Sequence, residues 1–320
     1  MLKIALIGAG GIGRHLAKHA HRSKAIQLVA VYDPDYDSAG SLAQELDIPY
    51  YSSLPDMLER DQIEAVIIAT PPYTHAELCL TALEYGKHVF CEKPMALRLE
   101  DCDAMIERAS QTQRVLMVGQ VLRFFPLFWQ SKQWLDQGLI GEPVALSVRR
   151  MENSARLFSM GWRADPEKSG GALIEINVHE LDYLRWVGGN YRVVSAQGRQ
   201  PLEQPPFLQY WHAQLAFESG AVGQIEASII DPVGDHTVRI VGTEGVITFV
   251  GFGDYIQLRT HQGDEHILTV EQLQLPNPYE RELDCFARAV LYGEPLPFDG
   301  HDGREAVAKA LECLAHCHTD

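Results

Sequence analysis

Short apolar runs alternate with amphipathic segments along the first 120 residues of the chain. Five runs have the length and residue types of buried strands, at residues 3–7, 28–32, 65–69, 88–91 and 115–118. The segments between them repeat apolar side chains at helical spacing, at residues 12–21, 41–46, 75–85 and 100–110. This alternation is typical of βαβ units with right-handed crossovers. It predicts a doubly wound parallel sheet in an α/β domain over residues 1–120.

The pattern changes after residue 119. A helix is predicted at residues 127–137 and a strand at 144–150, followed by a polar, irregular stretch at 152–168. Further β-type runs follow at residues 193–197, 212–217, 222–228, 237–241, 246–250 and 255–259. These strands are no longer separated by helices, so they do not form further βαβ units.

A second domain is therefore predicted over residues 121–320. Residues 212–217 alternate polar and apolar side chains, which is typical of a sheet with one covered face. We expect an α+β domain with a large open mixed or antiparallel sheet. Two helices close the chain, at residues 278–292 and 301–316, and the last one can pack back on the first domain.

A glycine turn connects the first predicted strand to the first predicted helix. It consists of Gly8, Gly10, Gly11, Ile12 and Gly13. In the G-x-G-x-x-G spacing the three glycines permit a tight turn, close approach of the backbone to a pyrophosphate, and close packing of helix on strand. The free N–H groups of the helix N-terminus attract phosphates. The turn predicts a Rossmann-type dinucleotide site.

The acidic end of the second strand bears on the choice of dinucleotide. Asp33 lies twenty residues past Gly13, where a carboxylate accepts hydrogen bonds from an adenosine ribose. The same carboxylate repels the 2′-phosphate of NADP. Residues 32–35 contain a second acid and no arginine or lysine to bind that phosphate. NAD is therefore favoured over NADP.

Charge and composition narrow the class of protein. The 43 acidic and 27 basic side chains leave a net charge of −16, which repels a nucleic-acid backbone. The apolar runs are far shorter than the roughly 20 residues of a membrane span, and the first strand begins too early for a secretion signal. The six cysteines lack paired spacing, which suits reduced thiols. We expect a cytoplasmic protein with no nucleic-acid or membrane partner.

Further motifs follow the glycine turn in order. The third long strand ends in ATPPYTH at residues 69–75, and the next one ends in EKP at residues 92–94. A predicted helix carries E-x-x-x-H-x-x-D at residues 175–182, preceded by WR at 162–163 and SGG at 169–171. Together these motifs resemble the glucose–fructose oxidoreductase and inositol dehydrogenase family, called Gfo/Idh/MocA. The resemblance covers nearly the whole chain.

The resemblance implies that Lys93 is catalytic and also borders the cofactor. It places four further residues beside the cofactor: Thr70, Pro71, His75 and Glu92. An ammonium group at the carboxyl end of a strand points into the binding crevice, where it can donate to a substrate hydroxyl. Pro94 restricts the backbone next to that ammonium.

The predicted helix carries the second group of catalytic candidates. Glu175 and His179 are four residues apart and so share one helical face. A neutral imidazole can take the proton of a secondary hydroxyl while hydride leaves the same carbon, and the carboxylate can orient the ring or bind a neighbouring hydroxyl. The family usually has Asp at the position of Glu175, which leaves the role of this carboxylate open. Arg123, Trp162 and Arg163 complete the predicted substrate-binding set.

These residues predict an NAD(P)-dependent oxidoreductase that moves a hydride between the nicotinamide and a secondary hydroxyl or ketone. The expected substrate is a sugar, inositol or related polyol, and no metal is needed because Lys93 and His179 replace a Lewis acid. Two alternatives stay open: redox-neutral cleavage of a glycoside by transient oxidation and elimination, and a non-catalytic NAD sensor. The resemblance further implies a homodimer or homotetramer that pairs the open sheet faces.

Overall fold

A computed structural model describes residues 1–317, and residues 318–320 at the end of the predicted second domain lie outside that range. The chain divides into two compact units. The first contains Met1–Gln120 and Tyr279–Val307, and the second contains Val121–Pro278 and the chain from Ala308 onward. Each unit is built on a sheet of its own.

The first unit contains a six-stranded parallel sheet. Its strands are β1 (Leu2–Ile7), β2 (Ile26–Tyr32), β3 (Tyr50–Tyr51), β4 (Ala65–Ile68), β5 (His88–Cys91) and β6 (Leu116–Val118). The helices that alternate with them are α1 (Gly11–Arg22), α2 (Tyr36–Leu46), α3 (Leu54–Leu58), α4 (His75–Glu84) and α5 (Leu99–Gln111). The sequence pattern missed β3 and α3, because neither is long enough to display a period.

The strand order of this sheet confirms the predicted doubly wound topology. It runs β3-β2-β1-β4-β5-β6, with every pairing parallel. The order changes direction between β1 and β4, and ligands of such sheets bind at the carboxyl ends of the strands beside this switch point. All four residues of β4 are fully buried. Helices cover both faces of a parallel sheet, which explains why these strands are continuous apolar runs.

The second unit begins with α6 (Pro126–Asp136) and contains an eight-stranded mixed sheet. Its remaining helices are α7 (Ala155–Phe158), α8 (Pro166–Ser169), α9 (Gly171–Gly188) and α10 (Val270–Leu273). Its strands are β7 (Pro143–Asn153), β8 (Tyr191–Arg199), β9 (Tyr210–Phe217), β10 (Val222–Ser228), β11 (Ile230–Gly242), β12 (Gly245–Val250), β13 (Tyr255–Thr260) and β14 (Glu265–Thr269). The order is β14-β13-β12-β11-β7-β10-β9-β8, and only β7 and β10 pair in parallel. The predicted large mixed sheet is confirmed.

Three local expectations in this unit were wrong. Residues 152–168 are not irregular but contain α7, α8 and a 3-10 turn, Gly161–Ala164. Asp165 caps α8 and a proline follows it, a start signal that the polar composition obscured. β11 begins seven residues earlier than expected, because a register shift between Ile230 and Asp235 accommodates a proline and a glycine. The exposed edge strand β14 was missed.

Two long helices close the chain, α11 (Pro278–Tyr292) and α12 (Gly300–Cys317). α11 belongs to the first unit, where Phe286 packs edge-on against Phe90 of β5 with ring centroids 5.8 Å apart. The part of α12 up to Val307 belongs to the same unit, and the rest belongs to the second. The first unit is therefore completed by helices that lie 160 or more residues downstream of β6 in the sequence.

Candidate functional site

The glycine turn joins β1 to α1 in a conformation that side chains would obstruct. Gly8 has φ +99°, and a Cβ there would lie 2.7 Å from the Ala69 carbonyl oxygen. A Cβ on Gly13 would lie 1.9 Å from the Gly8 oxygen. By contrast, a Cβ on Gly10 or Gly11 would meet no atom within 4 Å. The turn therefore leaves open space at the N-terminus of α1, where the dinucleotide-binding motif requires it.

Asp33 ties the end of β2 to the glycine turn. Its carboxylate accepts hydrogen bonds from the backbone N–H of Ala9, at 2.7 Å, and of Asp35, at 2.9 Å. Arg14 in the first turns of α1 donates to Glu45 at 2.7 Å and to Ser41 at 2.8 Å. Glu45 also pairs with Lys18 at 2.7 Å, so this carboxylate is shared by two cations. Asp33 supplies the negative charge at the end of β2.

The loops that follow β4 and β5 are joined through His75. This imidazole is fully buried, with Nδ1 2.9 Å from the Pro94 carbonyl oxygen and Nε2 2.8 Å from that of Thr70. Burial lowers the pKa of His75, which favours the neutral ring. A neutral ring has one N–H and donates to one of the two carbonyls. His75 therefore positions the two loops, and Pro71 and Thr70 lie half-buried beside it.

Lys93 follows β5 directly and is half-buried. Behind it lies Glu92, whose Oε2 accepts a hydrogen bond from the Lys93 backbone N–H at 3.1 Å. The Glu92 carboxyl also lies against Gly119, where a Cβ would be 3.3 Å away. Burial raises the pKa of Glu92 to about 7, although the positive charge of Lys93 opposes the shift. Lys93, whose ammonium is predicted to be catalytic, is thus adjacent in sequence to a buried carboxyl whose pKa is about 7.

The titration of Glu92 predicts a pH-dependent stability. Because its pKa is raised in the folded state, the folded protein holds the proton more tightly than the unfolded chain, and stability falls as pH rises from about 4.3 to about 7. At about 1.4 kcal/mol per pKa unit, the loss over this range amounts to about 4 kcal/mol. We expect Glu92→Gln to reduce this loss, measured as the difference in urea unfolding free energy between about pH 5 and about pH 8. An equal difference in wild type and variant would contradict the prediction.

In the second unit, Glu175 forms a cluster with Trp162 and Arg163. Arg163 Nε donates to Glu175 Oε1 at 3.0 Å, and its guanidinium lies over the Trp162 ring, 4.2 Å from the centroid. Glu175 is buried and the other two side chains are half-buried. His179 lies one turn further along α9 and is half-buried. The structure thus brings together three of the predicted substrate-binding residues and places His179 on the same helix.

Arg123 has a different environment. Its guanidinium is only 5% exposed and makes a bidentate ion pair with Asp182 of α9, with Nε–Oδ2 2.8 Å and Nη2–Oδ1 2.6 Å. The indole of Trp186 lies 5.6 Å from the guanidinium carbon. This pairing favours a structural role for Arg123, whose place in the substrate-binding set stays a prediction and is left out of the mechanism proposed below. The sequence contained both partners, but 59 residues separate them and no spacing rule connects them.

A second buried polar network fixes α9 on the sheet, and sequence reasoning missed it. Arg150 of β7 donates to Glu180 Oε1 at 2.6 Å and to Glu152 at 2.7 Å. Asn177 donates to the other Glu180 oxygen at 3.0 Å. Burial opposes ionisation of Glu180, but the charges of Arg150 and His236 together with the hydrogen bonds outweigh it, and the pKa of Glu180 is lowered. The helix that carries Glu175 is therefore anchored by an ionised group one residue after His179.

Residues 1–317 contain no group of three or more His, Cys, Asp or Glu side chains placed to hold a metal ion. In the same part of the chain, every helix is too short or too polar to cross a bilayer. All six cysteines are free thiols, and four of them are buried.

Two family descriptions match most of the chain. Residues 2–120 match the oxidoreductase family with an NAD-binding Rossmann fold. Residues 128–248 match the GFO/IDH/MocA C-terminal domain. The two matches cover the glycine turn, Lys93 and the helix that carries Glu175 and His179.

Individual relatives agree with these matches over nearly the full length. The chain is 34% identical over 310 residues to scyllo-inositol 2-dehydrogenase (NAD(+)) of Bacillus subtilis, covering 92% of this chain and 87% of the relative. It is 29% identical over 307 residues to 2,7-anhydro-N-acetylneuraminate hydratase of Mediterraneibacter gnavus, covering 91% and 79%. A solved structure of a putative myo-inositol dehydrogenase from Sinorhizobium meliloti superposes with a TM-score of 0.84 at 26% identity, covering 99% and 97%.

Proposed function

The chain belongs to the Gfo/Idh/MocA family of NAD-binding oxidoreductases, and on that premise we propose that it moves a hydride between NAD and a secondary hydroxyl or ketone of a sugar, inositol or related polyol. The observation that carries the proposal lies in the first unit. The glycine turn, the Thr70 loop and Lys93 follow three adjacent strands, β1, β4 and β5, at their carboxyl ends. Adjacent strands lie about 4.8 Å apart, so the phosphate-binding turn and the ammonium border one crevice.

In the proposed reaction the bound nicotinamide supplies the hydride acceptor or donor. Lys93 donates a hydrogen bond to the reacting oxygen and stabilises the negative charge that develops on it. His179 accepts the hydroxyl proton during oxidation and returns it during reduction. Glu175, held by Arg163, binds a neighbouring substrate hydroxyl, which accounts for a longer side chain at this position than the family's usual Asp.

An absorbance assay tests the proposal directly. The purified protein is incubated with NAD and a panel of inositols, pyranoses and acyclic polyols, and formation of NADH is followed. We expect turnover with at least one polyol and none with primary alcohols alone. Absence of NADH formation across the whole panel, by a protein that binds NAD, would reject the dehydrogenase proposal.

A second candidate reaction is redox-neutral. It is favoured by the relative named as a hydratase of an anhydro sugar, because addition of water to a substrate requires no net hydride transfer. For this chain we propose as the alternative that NAD stays bound and a transient oxidation activates an elimination or addition at a glycosidic carbon. Retention of NAD through gel filtration, with conversion of a nitrophenyl glycoside or an anhydro sugar and no NADH release, would support it. Retained NAD without any conversion would instead indicate a sensor.

Asp33 supports the proposed preference for NAD over NADP. Asp33→Asn removes the charge that repels a 2′-phosphate but keeps an oxygen to accept from Ala9. We expect the ratio of kcat/KM for NAD to that for NADP to fall about tenfold or more, because a charge-assisted hydrogen bond contributes about 1.5–3 kcal/mol. Asp47→Asn, which removes an equal charge at the far end of α2, is the control. An unchanged ratio in Asp33→Asn would show that this carboxylate does not select the cofactor.

The assembly proposed from the family resemblance is a homodimer or homotetramer. The sheet of the second unit supports it, because Val194 of β8, at 44% exposure, and Val222 of β10, at 60%, line one open groove on the sheet. Apolar groups on an open sheet face are typical of protein interfaces.

A further inference from the structure

Two carboxyl groups of the first unit are buried, and no salt bridge to either of them is found among the described residues. One is Glu92, directly before Lys93. The other is Glu282 of α11, which is 0% exposed. In the part of the chain that the structure describes, neither oxygen of Glu282 has a hydrogen-bond partner. A buried donor or acceptor left unsatisfied costs about 1–3 kcal/mol, so a glutamate here calls for an explanation.

The packing of α11 on β5 places these two carboxyls opposite each other. Phe286 contacts Phe90, which fixes how the helix lies on the strand. Glu282 precedes Phe286 by one helical turn, a rise of about 6 Å. Glu92 follows Phe90 by two positions, about 6.6 Å along the chain and on the same side of the sheet. The hydrogen bonds His19–Glu280 and Ser23–Asp284 show that α11 runs in the same direction as α1, and therefore opposite to the parallel strands. The two equal displacements from the Phe286–Phe90 contact therefore bring Glu282 towards Glu92.

The electrostatics agree with this placement. Burial, and then the negative charge of Glu92, raise the pKa of Glu282 well above its ordinary value. Burial raises the pKa of Glu92 to about 7 against the pull of Lys93. Lys93 is the charged group that acts on Glu92, and Glu92 is the charged group that acts on Glu282. Near pH 7 the pair therefore holds at least one proton, and Glu282 is the neutral acid.

We propose that Glu282 is a positioning residue for Lys93: its protonated carboxyl donates through one bridging water to the Glu92 carboxyl, which in turn holds the Lys93 backbone N–H. This inference rests on the proposed function in one respect, the catalytic role of Lys93. The proton is shared within the pair and is not passed to substrate. Glu282 thereby supplies the donor that the Glu92 anion needs in a buried site.

Two substitutions test whether Glu282 acts as a hydrogen-bond donor or only fills space in the core. Glu282→Gln keeps an N–H donor and removes the titrating proton, whereas Glu282→Leu keeps the volume and removes the donor. The readout is infrared titration of the carbonyl stretch of protonated acids, with Glu92→Gln used to assign the band that disappears near pH 7. We expect the midpoint of that band to move up by about one to two pH units in Glu282→Leu, the effect of losing one hydrogen bond to a charged group. Glu282→Gln should leave it near the wild-type value.

Activity is measured alongside, after circular dichroism has shown that both variants fold. We expect Glu282→Leu to lower kcat by about 10-fold to 100-fold, the range that follows from small misplacement of a catalytic group, and Glu282→Gln to restore most of it. An equal midpoint in wild type and Glu282→Leu would overturn the proposal, whatever the activity. If the midpoint moves but Lys93→Met is fully active, the carboxyl pair stands and the proposed role of Lys93 fails. If Lys93→Met is inactive and the midpoint does not move, the catalytic role of Lys93 stands and the proposed carboxyl pair fails.

Discussion

Replacement of Lys93 by methionine is expected to lower kcat for the polyol oxidation by about 10³-fold. Methionine matches the length of lysine and removes the ammonium, so the reacting oxygen loses a donor in the transition state. Acid–base groups of this kind contribute about 10²-fold to 10⁴-fold. The Glu92 carboxyl accepts from the Lys93 backbone and not from its side chain, so the loop should keep its conformation. The measurement is steady-state NADH formation, with NADH affinity followed by fluorescence.

Lys18→Met is the matched control for this prediction. Lys18 lies in the same unit, is half-exposed, and pairs with Glu45 at 2.7 Å. Loss of a solvent-screened surface ion pair changes stability little, so its kcat should stay near wild type. A Lys93→Met protein that retains more than about a third of wild-type kcat would remove Lys93 from the catalytic group.

A double substitution tests whether Lys93 and His179 serve one step. Residues that act as a unit have strongly non-additive effects. We expect the double variant Lys93→Met with His179→Ala to have a kcat within about tenfold of that of the slower single variant. Independent losses that multiply would indicate that the two groups serve different steps.

Arg123→Met is expected to destabilise the protein by about 3–5 kcal/mol. The substitution leaves Asp182 ionised, 1% exposed and without its guanidinium, and breaking one partner of a buried ion pair has this magnitude. Chemical denaturation followed by fluorescence measures the loss. Arg259→Met is the control, because its pair with Glu265 is exposed to solvent, which screens the interaction, so stability should stay near wild type.

A second, compensating substitution distinguishes a structural role of Arg123 from a role in substrate binding. In the double variant Arg123→Met with Asp182→Leu, no buried charge is left unpaired, and we expect most of the lost stability to return. If Arg123 is structural, the KM for the polyol in this double variant stays near wild type. A recovered stability with a KM raised more than about tenfold would return Arg123 to the substrate-binding set.

The sequence predicted the fold best where a residue pattern set by burial repeats along the chain. Each long strand of the first sheet is an apolar run, because parallel strands are buried on both faces. Gly8 and Gly13 were predictable because their spacing reflects backbone contacts within a single turn. The two-residue strand β3 and the edge strand β14 were not, since short or exposed strands carry little pattern. The helices of residues 152–168 were hidden for the same reason.

The sequence by itself determined what lies within one turn or one strand: the dinucleotide turn, the acid at Asp33, the lysine after β5 and the Glu175–His179 spacing. Only the tertiary structure decided which charges are neutralised, because partners such as Arg123 and Asp182, or Arg163 and Glu175, meet through packing and not through spacing. Glu282 is the clearest case. Along the chain it is one acid of an amphipathic helix, and burial behind β5 makes it a neutral group next to Glu92.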